Sequence, residues 1–121
     1  MKLQKFEFEE VITETSVNTV CALIAKEDVT AIFERHRISP KNDAMEPDNS
    51  YTEGEIQFNY DKDDNSLSEV LVFPTYKDEE GGLTNGDFVN VIDSDDLDEE
   101  YFSQADEELR KALENEQEID K

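Results

Sequence analysis

Apolar and polar positions alternate at the start of the chain. Across residues 3–9, Phe6 and Phe8 fall on one side and Glu7 and Glu9 on the other, which is the period-two pattern of a half-buried strand. The period then lengthens. Thr15 or Ser16 can cap a helix carrying Val17, Val20, Cys21 and Ile24, and three- and four-residue spacing resumes at Val29, Ile32 and Phe33. The run VNTVCALIA suits a short strand as well as a helix. Helix is the favoured reading of 17–25 and the expected one over 27–36.

Residues 38–53 contain Pro40, Pro47, Asn42 and Asn49 with few apolar side chains, so they read as a long polar connection. Ile56, Phe58 and Tyr60 then alternate with Glu55, Gln57 and Asn59. The DKDDNS tract supplies a turn, and 67–73 follows, apolar on both faces around 70–73. Together these segments predict an antiparallel hairpin. Gly81, Gly82 and the tight-turn pair Asn85-Gly86 lead to one more strand over 88–92. From Asp93 onward Leu97, Tyr101, Ala105, Leu109, Ala112 and Leu113 recur at helical steps. Asp96 or Asp98 can cap that helix, or Ser103 with Asp106 can form a capping box and start it later. Residues 114–121 are expected to fray. The order strand, helix, three strands, helix predicts one α+β domain over residues 1–121. Its sheet is mostly antiparallel with three or four strands, one helix lies near the N-terminal third, and an acidic helix ends the chain.

Charge changes this picture most. Of the 121 residues 33 are acidic and 11 basic, a net charge of −22, and 36% are hydrophobic. Such a balance borders on disorder, but seven Phe, four Tyr and the periodic segments argue for a folded domain. Residues 1–37 are nearly neutral, and the excess of acid begins after them. No apolar run is long enough to span a bilayer, and the N-terminus lacks a signal-peptide pattern. The single cysteine, Cys21, excludes an internal disulfide and fits a reducing cytoplasm. A chain this negative repels anionic membranes and nucleic acid, so neither is an expected direct ligand. Basic protein surfaces are the natural partners.

Asp93, Asp95, Asp96, Asp98, Glu99 and Glu100 form the densest acidic tract. On the last helix Glu100, Glu107 and Glu114 share one stripe, spaced by about 10 Å at 1.5 Å per residue, and Asp96 and Glu118 extend it. Such a ladder can stand in for two or three phosphates of a nucleic-acid strand. Across 96–118 the only bases are Arg110 and Lys111. Any surface helix has a solvated polar face, but like charges at helical spacing cost stability, which favours a binding role for the excess. Asp61, Asp63, Asp64 and Asn65 begin like a calcium loop. Ser66 and Val72 then stand where that loop needs Gly and Glu, so an Asp- and Asn-rich hairpin turn is the better account.

Catalytic machinery is poorly supported, and no metal or cofactor is expected. His36, the only histidine, lies between Arg35 and Arg37 at a helix end, where cationic side chains suit the helix dipole. Cys21 lies among Val20, Ala22 and Leu23 and reads as a small buried hydrophobe. There is no glycine-rich phosphate loop, no zinc-ligand spacing and no nucleophile elbow. Arg35, His36, Arg37 and Lys41 form the one basic cluster, suited to docking against the acidic half or, less favoured, to self-association.

These features point to a non-catalytic inhibitor that mimics nucleic acid and occupies the basic groove of a DNA- or RNA-binding protein. Anti-restriction and anti-CRISPR proteins of phages and mobile elements act in this physical manner. One alternative is an immunity protein neutralising a basic nuclease toxin, for which the same charge would speed association. Another is an acidic adaptor or accessory subunit that binds through an apolar sheet surface. Asp61, Asp63, Asp64, Asp93, Asp95, Asp96, Asp98, Glu99, Glu100, Glu107, Glu114 and Glu118 are the expected partner-binding residues for the first reading.

Overall fold

The computed structural model describes residues 6–13, 17–92 and 99–119, with side chains over 17–92 and 99–114. The order is β1 (Phe6–Thr13), β2 (Val17–Ala25), α1 (Lys26–Arg35), β3 (Glu53–Asp61), β4 (Leu67–Lys77), β5 (Leu83–Asn85), β6 (Val89–Asn90) and α2 (Glu99–Ile119). Every strand pairing is antiparallel. The sheet runs β1-β2-β3-β4-β5, with β6 also paired to β4. This is the expected α+β architecture with more strands than the sequence pattern suggested.

The reading of 17–25 as helix is overturned. VNTVCALIA is β2, an inner strand paired to β1 on one side and β3 on the other. Its residues from Asn18 to Ala22 are all buried, so both faces are covered and no polar stripe betrays a period of two. Val17, Thr19, Val20 and Ile24 are β-branched, and pairing on both sides rewards that preference. Helix begins abruptly at Lys26 and ends at Arg35, where Arg37 adopts φ 57°. Ile38 N–H donates to the Phe33 carbonyl and Arg37 N–H to that of Glu34, both at 3.0 Å, a left-handed C-terminal cap built without glycine.

The β3–β4 hairpin forms as expected, longer at both ends. Asn85-Gly86 is not its own hairpin turn. The β4–β5 turn is 78–82, where Asp78 Oδ1 accepts from the Glu80 and Gly82 amides and Gly81 takes φ 86°. Gly86 serves close approach instead: a Cβ there would lie 1.8 Å from the Lys41 carbonyl oxygen. Pro74 explains why β5 and β6 are separate. Its carbonyl accepts from Gly86 N–H at 2.8 Å, so the side of β4 facing β5 and β6 is where its missing N–H falls. The partner chain therefore leaves the ladder after Asn85 and rejoins at Val89.

Even-numbered side chains of β2, β3 and β4 make the core: Val20, Ala22, Ile24, Ile56, Phe58, Tyr60, Val70 and Val72 are essentially inaccessible. Both helices pack on this face. Val29, Ile32 and Phe33 come from α1, and Tyr101, Ala105 and Leu109 from α2. Gly54 allows α1 to approach, since a Cβ there would meet Val29 Cγ2 at 2.2 Å. The connection 38–53 is tied down on the same face. Tyr51 stacks edge-on against Tyr76, and the Tyr76 hydroxyl donates to the Asp48 carbonyl at 2.7 Å. Cys21 is buried, as its neighbours implied. Among the described residues no helix is long and apolar enough to cross a membrane.

Candidate functional site

Helix α2 begins at Glu99 within the described residues, so Ser103 and Asp106 lie inside it and do not form a capping box. Asp93, Asp95, Asp96 and Asp98 lie outside the described residues, as do Thr15 and Ser16. Tyr101, Ala105 and Leu109 turn inward, while Glu99, Glu100, Glu107 and Glu114 are exposed. At 3.6 residues per turn Glu107 stands about 200° round the helix from Ala105. Glu100, Glu107 and Glu114 are thus the outermost ridge, and Glu118 continues the same helix. Lys111 sits 3.9 Å from Glu107 and 3.8 Å from Glu108. These pairs are exposed and add about 0.5 kcal/mol or less each.

The second acidic group is adjacent. Asn65 from the β3–β4 turn and Asp106, Leu109, Arg110 and Leu113 from α2 line a shared cleft of about 210 Å³. The Tyr60 hydroxyl, at the end of β3, donates to Asp106 Oδ1 at 2.7 Å and pins helix to sheet. Burial, then the Asp106 carboxylate, push the Tyr60 phenol well above its ordinary range. Asn65 is the turn residue that lines this cleft, together with the basic Arg110; the exposed Asp61, Asp63 and Asp64 belong to the same turn, and Glu100, Glu107 and Glu114 to the outer side of the helix. In the turn, Asp61 Oδ1 accepts from the Asp63 amide at 2.8 Å. Asp64 Oδ1 accepts from Ser66 N–H and Oγ at 3.0 and 2.7 Å, which lowers the Asp64 pKa. These carboxylates build the turn, and Asn65 takes φ 58° to close it. Among the described residues no group of three or more His, Cys, Asp or Glu side chains is arranged to hold a metal ion.

The opposite face of the sheet carries features that the sequence pattern did not disclose. It bears odd-numbered residues of β2, β3 and β4, except that Leu67 packs on the core side past the irregularity between Asn59 and Tyr60; Thr19, Cys21, Asn59, Leu71 and Thr75 are buried on it, while Glu55 and Phe73 are half-buried. Cross-strand register aligns Thr19, Asn59 and Glu69 in one row, Cys21, Gln57 and Leu71 in the next, and Leu23, Glu55 and Phe73 in a third. Side chains join into two chains of hydrogen bonds. Thr19 Oγ1 donates to Asn59 Oδ1 at 2.7 Å, and Asn59 Nδ2 to Glu69 Oε2 at 3.0 Å. Thr75 Oγ1 donates to Asn85 Oδ1 at 2.8 Å, and both Asn85 Nδ2 and Gln57 Nε2 donate to Glu55 Oε2, at 3.1 and 2.5 Å. Phe88, 47% exposed, tilts against Phe73 with ring centroids 5.6 Å apart. A cleft of about 460 Å³ opens at the corner where Leu23, Ala25 and Glu53 meet the start of α1.

No protein-family model, curated protein or solved structure matches the chain.

Proposed function

We propose that this chain is a non-catalytic binding protein that inhibits a nucleic-acid-binding protein by filling its basic groove. The observation that carries the reading is the exposed ridge of Glu100, Glu107 and Glu114 along α2, on a chain of net charge −22. Glu100, Glu107 and Glu114 project from a helix whose inner side is held by Tyr101, Ala105, Leu109 and the Tyr60–Asp106 bond. A fixed row of carboxylates loses little freedom on binding a Lys/Arg groove, and its field speeds encounter. An acidic adaptor or accessory subunit is the second reading, favoured by the half-buried Phe73 and exposed Phe88 on the sheet face away from the core.

Affinity capture with the intact chain, followed by mass spectrometry, identifies the partner. The inhibitor reading expects a DNA- or RNA-binding protein, competed off by duplex nucleic acid. A complex indifferent to added duplex would remove that reading and leave the immunity-protein and adaptor readings. Substitution is the proper probe of α2, because deleting residues 96–121 would also strip Tyr101, Ala105 and Leu109 from the core. The combined variant Glu100→Gln/Glu107→Gln/Glu114→Gln keeps the inner face and should weaken capture at least about tenfold, mainly through slower association.

A further inference from the structure

We propose that the partly exposed patch of Glu55, Phe73 and Phe88, on the face of the sheet away from the core, is a second contact surface, built to take an arginine side chain from the basic partner. The inference deepens the reading above and rests on its premise that the partner is basic. Glu55 is the centre of the site. Gln57 and Asn85 both donate to its Oε2, fixing the carboxylate in place, and no described donor reaches Oε1. Directly across the pair from Glu55 on β4 is Phe73, whose ring abuts the half-exposed Phe88. Directly opposed side chains have their Cβ atoms about 5 Å apart. A guanidinium lying on the Phe73–Phe88 platform can therefore reach the open oxygen of Glu55.

Arginine fits this arrangement better than lysine. Its planar, weakly hydrated cation stacks on aromatic rings while its N–H fork meets a carboxylate, whereas an ammonium is a compact, strongly hydrated point charge. Charge complementarity supports the assignment. The odd-numbered strand positions carry Glu53, Glu55 and Glu69, and the only cation at such positions among the described residues is Lys77. Lys77 is four residues along β4 from Phe73, about 13 Å at the strand rise, too far to neutralise Glu55 by contact. Glu69, held by Asn59, offers a second carboxylate two rows away for a neighbouring basic residue.

The test uses the intact chain and a short capped peptide alternating arginine with glycine, compared with its lysine counterpart, in NMR titrations. Wild-type protein should prefer the arginine peptide by about fivefold, with the largest shifts at Glu55, Phe73 and Phe88. Glu55→Gln should lower arginine-peptide affinity about tenfold and Phe88→Ala should lower it severalfold, each removing the preference. The combined Glu100, Glu107 and Glu114 glutamine variant should weaken both peptides equally and keep the preference. Absence of a preference in wild type would overturn the inference, as would shifts centred on α2. If Glu55→Gln does not fold, the wild-type shift map and Phe88→Ala decide the matter. With the captured partner, loss of binding on the helix substitutions alone would sink this inference and spare the parent reading. Indifference to both sets would sink both.

Discussion

Replacing Tyr60 by phenylalanine tests how the acidic helix is held to the sheet. The ring is buried beside Phe58 and Val70 on the core face, and phenylalanine preserves all of that contact. Only the hydroxyl that donates to Asp106 Oδ1 is lost. A hydrogen bond to a charged acceptor contributes about 1.5–3 kcal/mol where desolvated. Asp106 is exposed, so water replaces the lost donor, and phenylalanine leaves no unpaired polar atom of its own. The expected loss is therefore about 1 kcal/mol, below that range. For a chain of this size the melting temperature should fall by about 4 °C. Urea unfolding measures it directly, with the midpoint falling at an unchanged slope. A double-mutant cycle with Asp106→Ala should return a coupling of about 1 kcal/mol. Additive single effects, or a Tyr60→Phe protein as stable as the parent, would refute the claim that this bond anchors α2.

Gly54→Ala should destabilise the domain by about 3 kcal/mol, because the added Cβ meets Val29 Cγ2 at 2.2 Å and the Phe73 carbonyl oxygen at 3.0 Å; chemical denaturation would show this, and a mild effect would mean that α1 can shift. Alkaline stability follows from Tyr76, whose pKa burial and the nearby Asp48 charge push from 10.0 up to about 12. A raised folded-state value means that the unfolded chain loses the proton first, so stability is intact below pH 10 and is lost as pH rises toward 12. Phenolate absorbance followed with circular dichroism should show delayed ionisation of Tyr76, and a titration whose late step is unchanged by Tyr76→Phe would contradict this. Raising salt from about 0.01 M to 0.15 M shortens the screening length from about 30 to 8 Å. The melting temperature should rise as carboxylate repulsion weakens, and a flat or falling response would show that the acids are already compensated.

Elements with one wet face were legible in the sequence. Ile56, Phe58 and Tyr60 alternated with polar neighbours and formed β3, and Tyr101, Ala105 and Leu109 marked the inner face of α2. Helix α1 showed the same clarity through Val29, Ile32 and Phe33. β2 did not, because a strand covered on both faces has no polar period, and nothing local identifies the strands that will flank it. The two short strands after Gly82 depend on where Pro74 falls in a partner strand, which is tertiary information. Charge density was plain along α2 and the turn, but the docking of that helix on the sheet required Tyr60 and Asp106, separated by 46 positions, to meet. The face of the sheet away from the helices was least legible. Thr19, Asn59 and Glu69 read as unrelated polar positions in the sequence, and only cross-strand register lines them up, with Thr19 and Asn59 buried.

Pro74 also determines how the sheet can grow. The missing donor on β4 splits its outer partner into strands of three and two residues, with 86–88 leaving the ladder between them. Neither piece presents enough continuous backbone to template another chain, so that border is protected against edge-to-edge aggregation. At the other border lies β1, eight residues long and paired only to β2 among the described strands, with an irregular register between Phe8 and Glu10. Strand addition, by a partner or by a misfolded copy, can therefore enter from one side only, and it must negotiate that bulge to do so.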